Sequence, residues 1–130
     1  MHLCRGNHRS MWSVEGAYDA IAEQLFTTLN VRRILAEYDS PRAGSFAPLR
    51  FVPKDKTVVL GLISTKVPEL EPIEDLKRRV DEAANYVPLE RLAISPQCGF
   101  GSDVVGNLIS EDDQKRKLER VVEVARKVWR

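Results

Sequence analysis

Thr57-Val58-Val59-Leu60-Gly61-Leu62-Ile63 is a continuous aliphatic run, rich in β-branched side chains and free of polar alternation. Such a run suits a parallel strand covered on both faces, whereas an antiparallel strand with one wet face alternates apolar and polar residues. Pro53-Lys54-Asp55 breaks the chain before it, and Ser64-Thr65-Lys66 follows it, so polar groups stand at the carboxyl end of the strand.

The pattern continues toward the C-terminus. From Pro72 to Tyr86 the apolar residues Ile73, Leu76, Val80, Ala83 and Val87 fall on one side of a helix that Pro88 stops. Arg91 to Ser95 forms the last strand, which runs through Pro96-Gln97 to Cys98 and breaks into Gly99-Phe100-Gly101. Ser110 then caps a final helix whose buried face carries Leu118, Val121, Val122, Ala125 and Val128.

Toward the N-terminus, Val31 to Asp39 is a strand that places Glu37 at or just past its end, and Ser40-Pro41-Arg42-Ala43-Gly44 breaks the backbone. Phe46, Leu49, Phe51 and Val52 pack from a short helix or turn. Tyr18, Ile21, Ala22, Leu25, Phe26 and Leu29 recur at helical spacing and predict a helix from about Val14 to Leu29. His2-Leu3-Cys4-Arg5-Gly6-Asn7-His8 reads as a strand end and a polar loop without a strand body before it. The order is strand end, helix, strand, short helix, strand, helix, strand, helix, an α/β chain of parallel βα units. Parallel strands present all their carboxyl ends on one rim, so His2, Cys4, Glu37, Lys66 and Cys98 are expected to meet there.

Composition narrows the function classes. The 130 residues are enough for one domain with a real core, and 20 basic against 19 acidic side chains leave a formal charge of +1, with no global field for nucleic acid or an anionic membrane. The basic residues of the last helix, Lys115, Arg116, Lys117, Arg120, Arg126 and Lys127, alternate with acids and read as its wet face. No stretch has the length and apolarity of a membrane span or signal sequence, and two cysteines do not make a disulfide framework. The expected location is cytoplasmic, with reduced thiols.

His2 and Cys4 are two residues apart, so in extended backbone they point to the same side and can share one ion. With Glu37 and Cys98 they offer nitrogen, sulfur, oxygen and sulfur, a set suited to tetrahedral zinc and unsuited to magnesium or calcium. Taken singly, these residues have plainer readings: Glu37 as an ion-pair partner of Arg32 or Arg33, Cys98 as a small core residue, Cys4 and Cys98 as a redox pair. His8 reads as a solvated loop histidine, and Asp39 and Asp103 as turn residues.

Three separated segments carry a resemblance. His2-Leu3-Cys4-Arg5-Gly6-Asn7, Leu35-Ala36-Glu37-Tyr38-Asp39 and Leu92-Ala93-Ile94-Ser95-Pro96-Gln97-Cys98-Gly99-Phe100 together resemble the carboxyl-terminal catalytic barrel of the cobalamin-independent methionine synthase family, especially its shorter members. The resemblance implies the C-terminal half of a TIM-type (β/α)8 barrel over residues 1–130, with zinc held by His2, Cys4, Glu37 and Cys98. It implies a methyltransferase of methionine biosynthesis that transfers a methyl group to a thiol such as homocysteine. The donor would be 5-methyltetrahydrofolate, or a methylated corrinoid protein or another methyl compound.

Two departures from the family pattern shape the expectation. About four of eight strands are present, so the segments that hold the amino acid and the folate in the family are missing here. Lys66 stands where the family has a histidine thought to protonate the departing folate. It reads as a proton donor, as a binder of an anionic group, or as a solvated loop lysine. The alternative to an active enzyme is a non-catalytic remnant that keeps the zinc site. Half a barrel exposes strand edges and an apolar interior, which favours a homo-oligomer or union with a missing N-terminal half-barrel.

Overall fold

Four parallel strands form one sheet in the order in which they occur in the sequence. In the computed structural model, which describes residues 1–101 and 104–130, these are β1 (His2–Leu3), β2 (Arg33–Glu37), β3 (Thr57–Ile63) and β4 (Leu92–Pro96). Asp103 lies outside the described residues. Helix α1 (Ala22–Thr28) precedes β2, α2 (Ile73–Ala84) connects β3 to β4, and α3 (Glu111–Val128) follows β4. Between β2 and β3 the chain makes two 3-10 turns, Pro41–Ala43 and Ala47–Phe51. Sequential parallel neighbours joined by helical crossovers are what the alternating pattern requires.

Register sorts the strand residues into two faces. Ile34 pairs with Val58 and Val58 with Leu92, while Ala36 pairs with Leu60 and Leu60 with Ile94. All six are buried in a core with Ala22 and Phe26 of α1, Leu76, Val80 and Ala83 of α2 and Val124 of α3. An aromatic chain of Tyr18, Tyr38 and Phe46 closes one side, with ring centroids 5.3 and 4.5 Å apart. On the other face His2 pairs with Leu35, Leu35 with Val59 and Val59 with Ala93. Leu35, Val59 and Ala93 are only partly buried and stand apart from that core. Within this chain β3 is therefore covered on one face, and the apolar character of its other face has no partner layer among the described residues. The outer edges of β1 and β4 likewise pair with no described strand.

Two helices depart from the pattern expected of them. The helix expected from Val14 begins only at Ala22, because the Arg5 guanidinium takes the Gly16 carbonyl twice, at 3.0 Å from Nε and 2.7 Å from Nη2, and Gly16 adopts φ of +145°. Residues before Ala22 thus wrap over Arg5 as a loop that leaves Val14 and Ile21 exposed. At the other end of α1, the buried Lys56 ammonium donates to Phe26 O at 2.8 Å and to Leu29 O, capping the carbonyls that the last turn leaves open.

Helix α3 starts where expected, with a capping box in which Ser110 Oγ accepts from Asp113 N at 3.1 Å and Asp113 Oδ2 from Ser110 N at 3.3 Å. Its buried face is rotated from the expected one. Val121, Ala125 and Val128 do pack on the core, but Leu118 and Val122 are exposed, while Val124 and Lys117 are fully buried. Lys117 is inside because its ammonium has partners there: Glu69 O at 2.6 Å and both Glu71 carboxylate oxygens at 3.2 Å. Glu71 in turn accepts from Ser64 N at 2.8 Å, just after β3.

Candidate metal centre

The carboxyl ends of the strands converge as parallel topology demands. Glu37 ends β2, opposite Gly61 of β3, which pairs with Ser95 of β4. His2 enters from β1, on the same face as Leu35 and therefore as Glu37. Cys98 follows β4 by two residues. Donor atoms of His2, Glu37 and Cys98 all lie within 4.8 Å of one another, a group able to hold a metal ion. His2 Nε2 is 3.3 Å from Glu37 Oε1, and Cys98 Sγ donates to the same oxygen at 2.5 Å. Cys4 touches the group through Cys98, with its Sγ 3.0 Å from the other sulfur, and it also accepts from Gly6 N at 3.2 Å.

The chemistry and the space both suit a cation. A nitrogen, a carboxylate oxygen and a sulfur around one point are a zinc-type donor set. Burial pushes the Cys98 thiol well above its ordinary range, and hydrogen bonds to Cys4 and Glu37 push it further. A metal ion would supply the positive charge that reverses this balance and releases the proton. A small cavity of about 130 Å³ lies among His2, Glu37, Gly61, Gln97 and Cys98. Gly61 keeps its floor open: a Cβ there would lie 3.2 Å from Ala36 O and 3.5 Å from the Cα atoms of Glu37 and Gln97.

Three residues that support the cluster escaped the sequence reading. Arg5 N donates to Glu37 Oε2 at 3.0 Å, and Arg5 Nη1 donates to Glu37 O at 2.9 Å and to Tyr18 Oη at 2.9 Å. Tyr18 Oη also accepts from Glu37 N at 3.0 Å, so one arginine and one tyrosine fix both the backbone and the carboxylate of Glu37. The third is Gln97, whose Oε1 accepts from Ser64 Oγ at 3.3 Å, Thr65 N at 3.2 Å and Lys66 Nζ at 3.0 Å. The only advance sign of these roles was polarity beside the motif residues: Arg5 after His-x-Cys, Gln97 before Cys98.

Lys66 is 7% exposed, so the reading of a solvated loop lysine does not hold. His8 is exposed, with its backbone paired to that of Met11. Asp39 is a half-buried residue whose carboxyl is raised by burial, against the lowering pull of Lys66 and Arg42. No helix among the described residues is long and apolar enough to cross a membrane.

Comparison with known proteins agrees with this fold. Two proteins of Bacillus subtilis (strain 168), YxjH and YxjG, both described as uncharacterized, are 53% and 50% identical over the whole chain. The chain spans 35% of the length of each. A crystal structure of a candidate vitamin-B12-independent methionine synthase from Listeria monocytogenes superposes over all of this chain and 34% of its own, with a TM-score of 0.68 and 33% identity. The parallel four-stranded sheet is thus part of a TIM-barrel-like fold. The family described as cobalamin-independent synthase, catalytic domain, matches residues 36–127, and the chain belongs to that family.

Proposed function

We propose that this chain carries the zinc-binding half of a thiol methyltransferase site, with His2, Cys4, Glu37 and Cys98 as the four zinc ligands. The observation that carries the reading is the convergence of His2, Glu37 and Cys98 at the strand ends, with the Cys4 sulfur against that of Cys98. Zinc, when bound there, lowers the pKa of a substrate thiol so that a thiolate is available near neutral pH. Homocysteine is the acceptor this reading favours, and 5-methyltetrahydrofolate, a methylated corrinoid protein or another methyl compound the donor. The sulfur–methyl bond forms as the bond from the methyl group to the donor breaks, the electron pair of that bond stays with the leaving group, and an amine leaving group takes up a proton.

The residues of the chain divide the work. Arg5 and Tyr18 hold Glu37 so that its carboxylate faces His2 and Cys98. Gln97 holds the Lys66 ammonium beside the cluster, where it can give a proton to the leaving group or bind an anionic one. The remaining length of the relatives supplies the subsite for the amino acid, and the whole works where thiols stay reduced.

The reduced protein is expected to bind about one zinc per chain by the four-ligand logic, and Cys98→Ser to lose it. Metal analysis of both proteins after dialysis decides: a wild-type chain without zinc affinity sinks the ligand set. Methyl-transfer assays with homocysteine and each donor then test turnover. A second reading, a non-catalytic piece that keeps the metal and self-associates, is favoured by the open sheet face and the two unpaired edges. A monomer in analytical ultracentrifugation, together with turnover, would exclude it.

A further inference from the structure

Beside the metal cluster, on the same rim, lies a second and larger cavity of about 490 Å³ between the ends of β2 and β3. Its charged walls are Lys66, Arg42, Asp39, Glu69 and Glu71, and Trp12 forms part of its apolar side. One carboxylate, that of Asp39, faces both cations. The Lys66 side chain is buried with its residue at 7% exposure, yet its described hydrogen bond is to a neutral acceptor, Gln97 Oε1, which Ser64 and Thr65 already share. A buried ammonium hydrogen-bonded only to a neutral acceptor, and sharing the single Asp39 carboxylate with Arg42, leaves room for an anion to join it. Arg42 donates from Nε to Ser40 Oγ at 3.0 Å, and its Nη2 lies 3.9 Å from Asp39 Oδ2. Its Nη1 is buried with no hydrogen-bond partner among the described residues.

Beyond Asp39, the carboxylates on the cavity wall are directed elsewhere. Glu71 is engaged by Lys117 and by Ser64 N, and Glu69 is exposed. The guanidinium of Arg42 is stacked on the Trp12 ring, 3.5 Å from its centroid, which fixes the plane of the fork. A fixed guanidinium with a free N–H and a buried ammonium, at the border of a cavity of ligand size, is the chemistry that recognises a carboxylate or phosphate group.

We propose that this cavity is an oxyanion-binding subsite, in which Lys66 and Arg42 take the carboxylate or phosphate group of a small molecule whose body lies against Trp12. Assigning that molecule as the methyl donor rests on the methyl-transfer reading above; the binding of an oxyanion does not. Through Gln97, which precedes Cys98 and holds Lys66, the subsite adjoins the metal cluster, so an anchored donor would present its other end there.

The test is a titration of the reduced chain with glutarate and, separately, inorganic phosphate, followed by Trp12 fluorescence and by calorimetry. Saturable binding is expected for at least one probe, and the tighter of the two identifies the group. Arg42→Gln and Lys66→Met should each weaken it by about tenfold or more, with zinc content unchanged. Trp12→Phe should remove the fluorescence signal while calorimetry still detects binding. If circular dichroism shows Lys66→Met to be unfolded, the half-buried Arg42 carries the test. Absence of saturable binding by both probes, or affinities unaltered in the folded variants, overturns the proposal. Repeating the titration after chelation separates the two readings: binding that persists without zinc leaves the subsite standing even where methyl transfer fails.

Discussion

The two faces of the sheet are made from the same four strands and differ in almost everything else. On one, Ile34, Val58, Leu60, Leu92 and Ile94 meet three helices and are buried. On the other, Leu35, Val59 and Ala93 are partly open, and the line of residues past them is polar: Glu37 and Ser95, with Gly61 between. The covered face shows how the chain is held together. The open face carries the candidate site, because groups with a pairing or binding demand collect where no packed layer excludes them.

Substitutions on the two faces should separate sharply. Leu60→Ala, which empties a fully buried site, is expected to cost about 3 kcal/mol, read as a lower urea midpoint with an unchanged slope. A cost near that of a surface change would mean that the helices do not pack as described. On the open face, Gly61→Val fills the notch beside Glu37 and should weaken zinc binding by about tenfold, some 1.4 kcal/mol, with the fold retained by circular dichroism. Unchanged zinc affinity would place the metal elsewhere.

Ser110→Ala removes the cap of the helix that covers β4 and should cost about 1 kcal/mol. The capping hydrogen bond from Ser110 and the neighbouring Arg116 hold the Asp113 carboxyl below its usual range. Its contribution is therefore present above the ordinary aspartate pKa and lost as the pH falls through the lowered one. The variant should show a smaller loss of stability on that acid side. Val59→Ala, the open-face neighbour of Leu60, should cost less than about 1 kcal/mol. Should it match Leu60→Ala instead, the two faces are equally covered in solution, which self-association would explain.

How much of this was legible in the sequence follows the same division. β3 was readable to the residue, because a β-branched run between two breaks has one interpretation. Helix α2 needed little more, its apolar residues falling on a single stripe. Helix α3 offered two overlapping stripes, and the choice between them was made by Lys117, whose partner Glu71 is 46 residues upstream. No local pattern contains that information. Helix α1 departed from expectation for a related reason: Arg5, eleven residues upstream, holds Gly16 in a conformation that delays the start of the helix to Ala22. For the site, the strand-end positions of His2, Glu37 and Cys98 were predictable from alternation. The roles of Arg5, Tyr18 and Gln97 were not, since each depends on the spacing between strands rather than on its own neighbourhood.

The Glu71 carboxylate touches both Lys117 in α3 and the amide of Ser64 just beyond β3. That double attachment couples two distant parts of the chain: the loop that presents Thr65 and Lys66 is set by a helix that lies more than forty residues further on. The rim that carries the candidate chemistry is thus tied to the distant helix through one carboxylate, so a lesion in that helix would be transmitted to it.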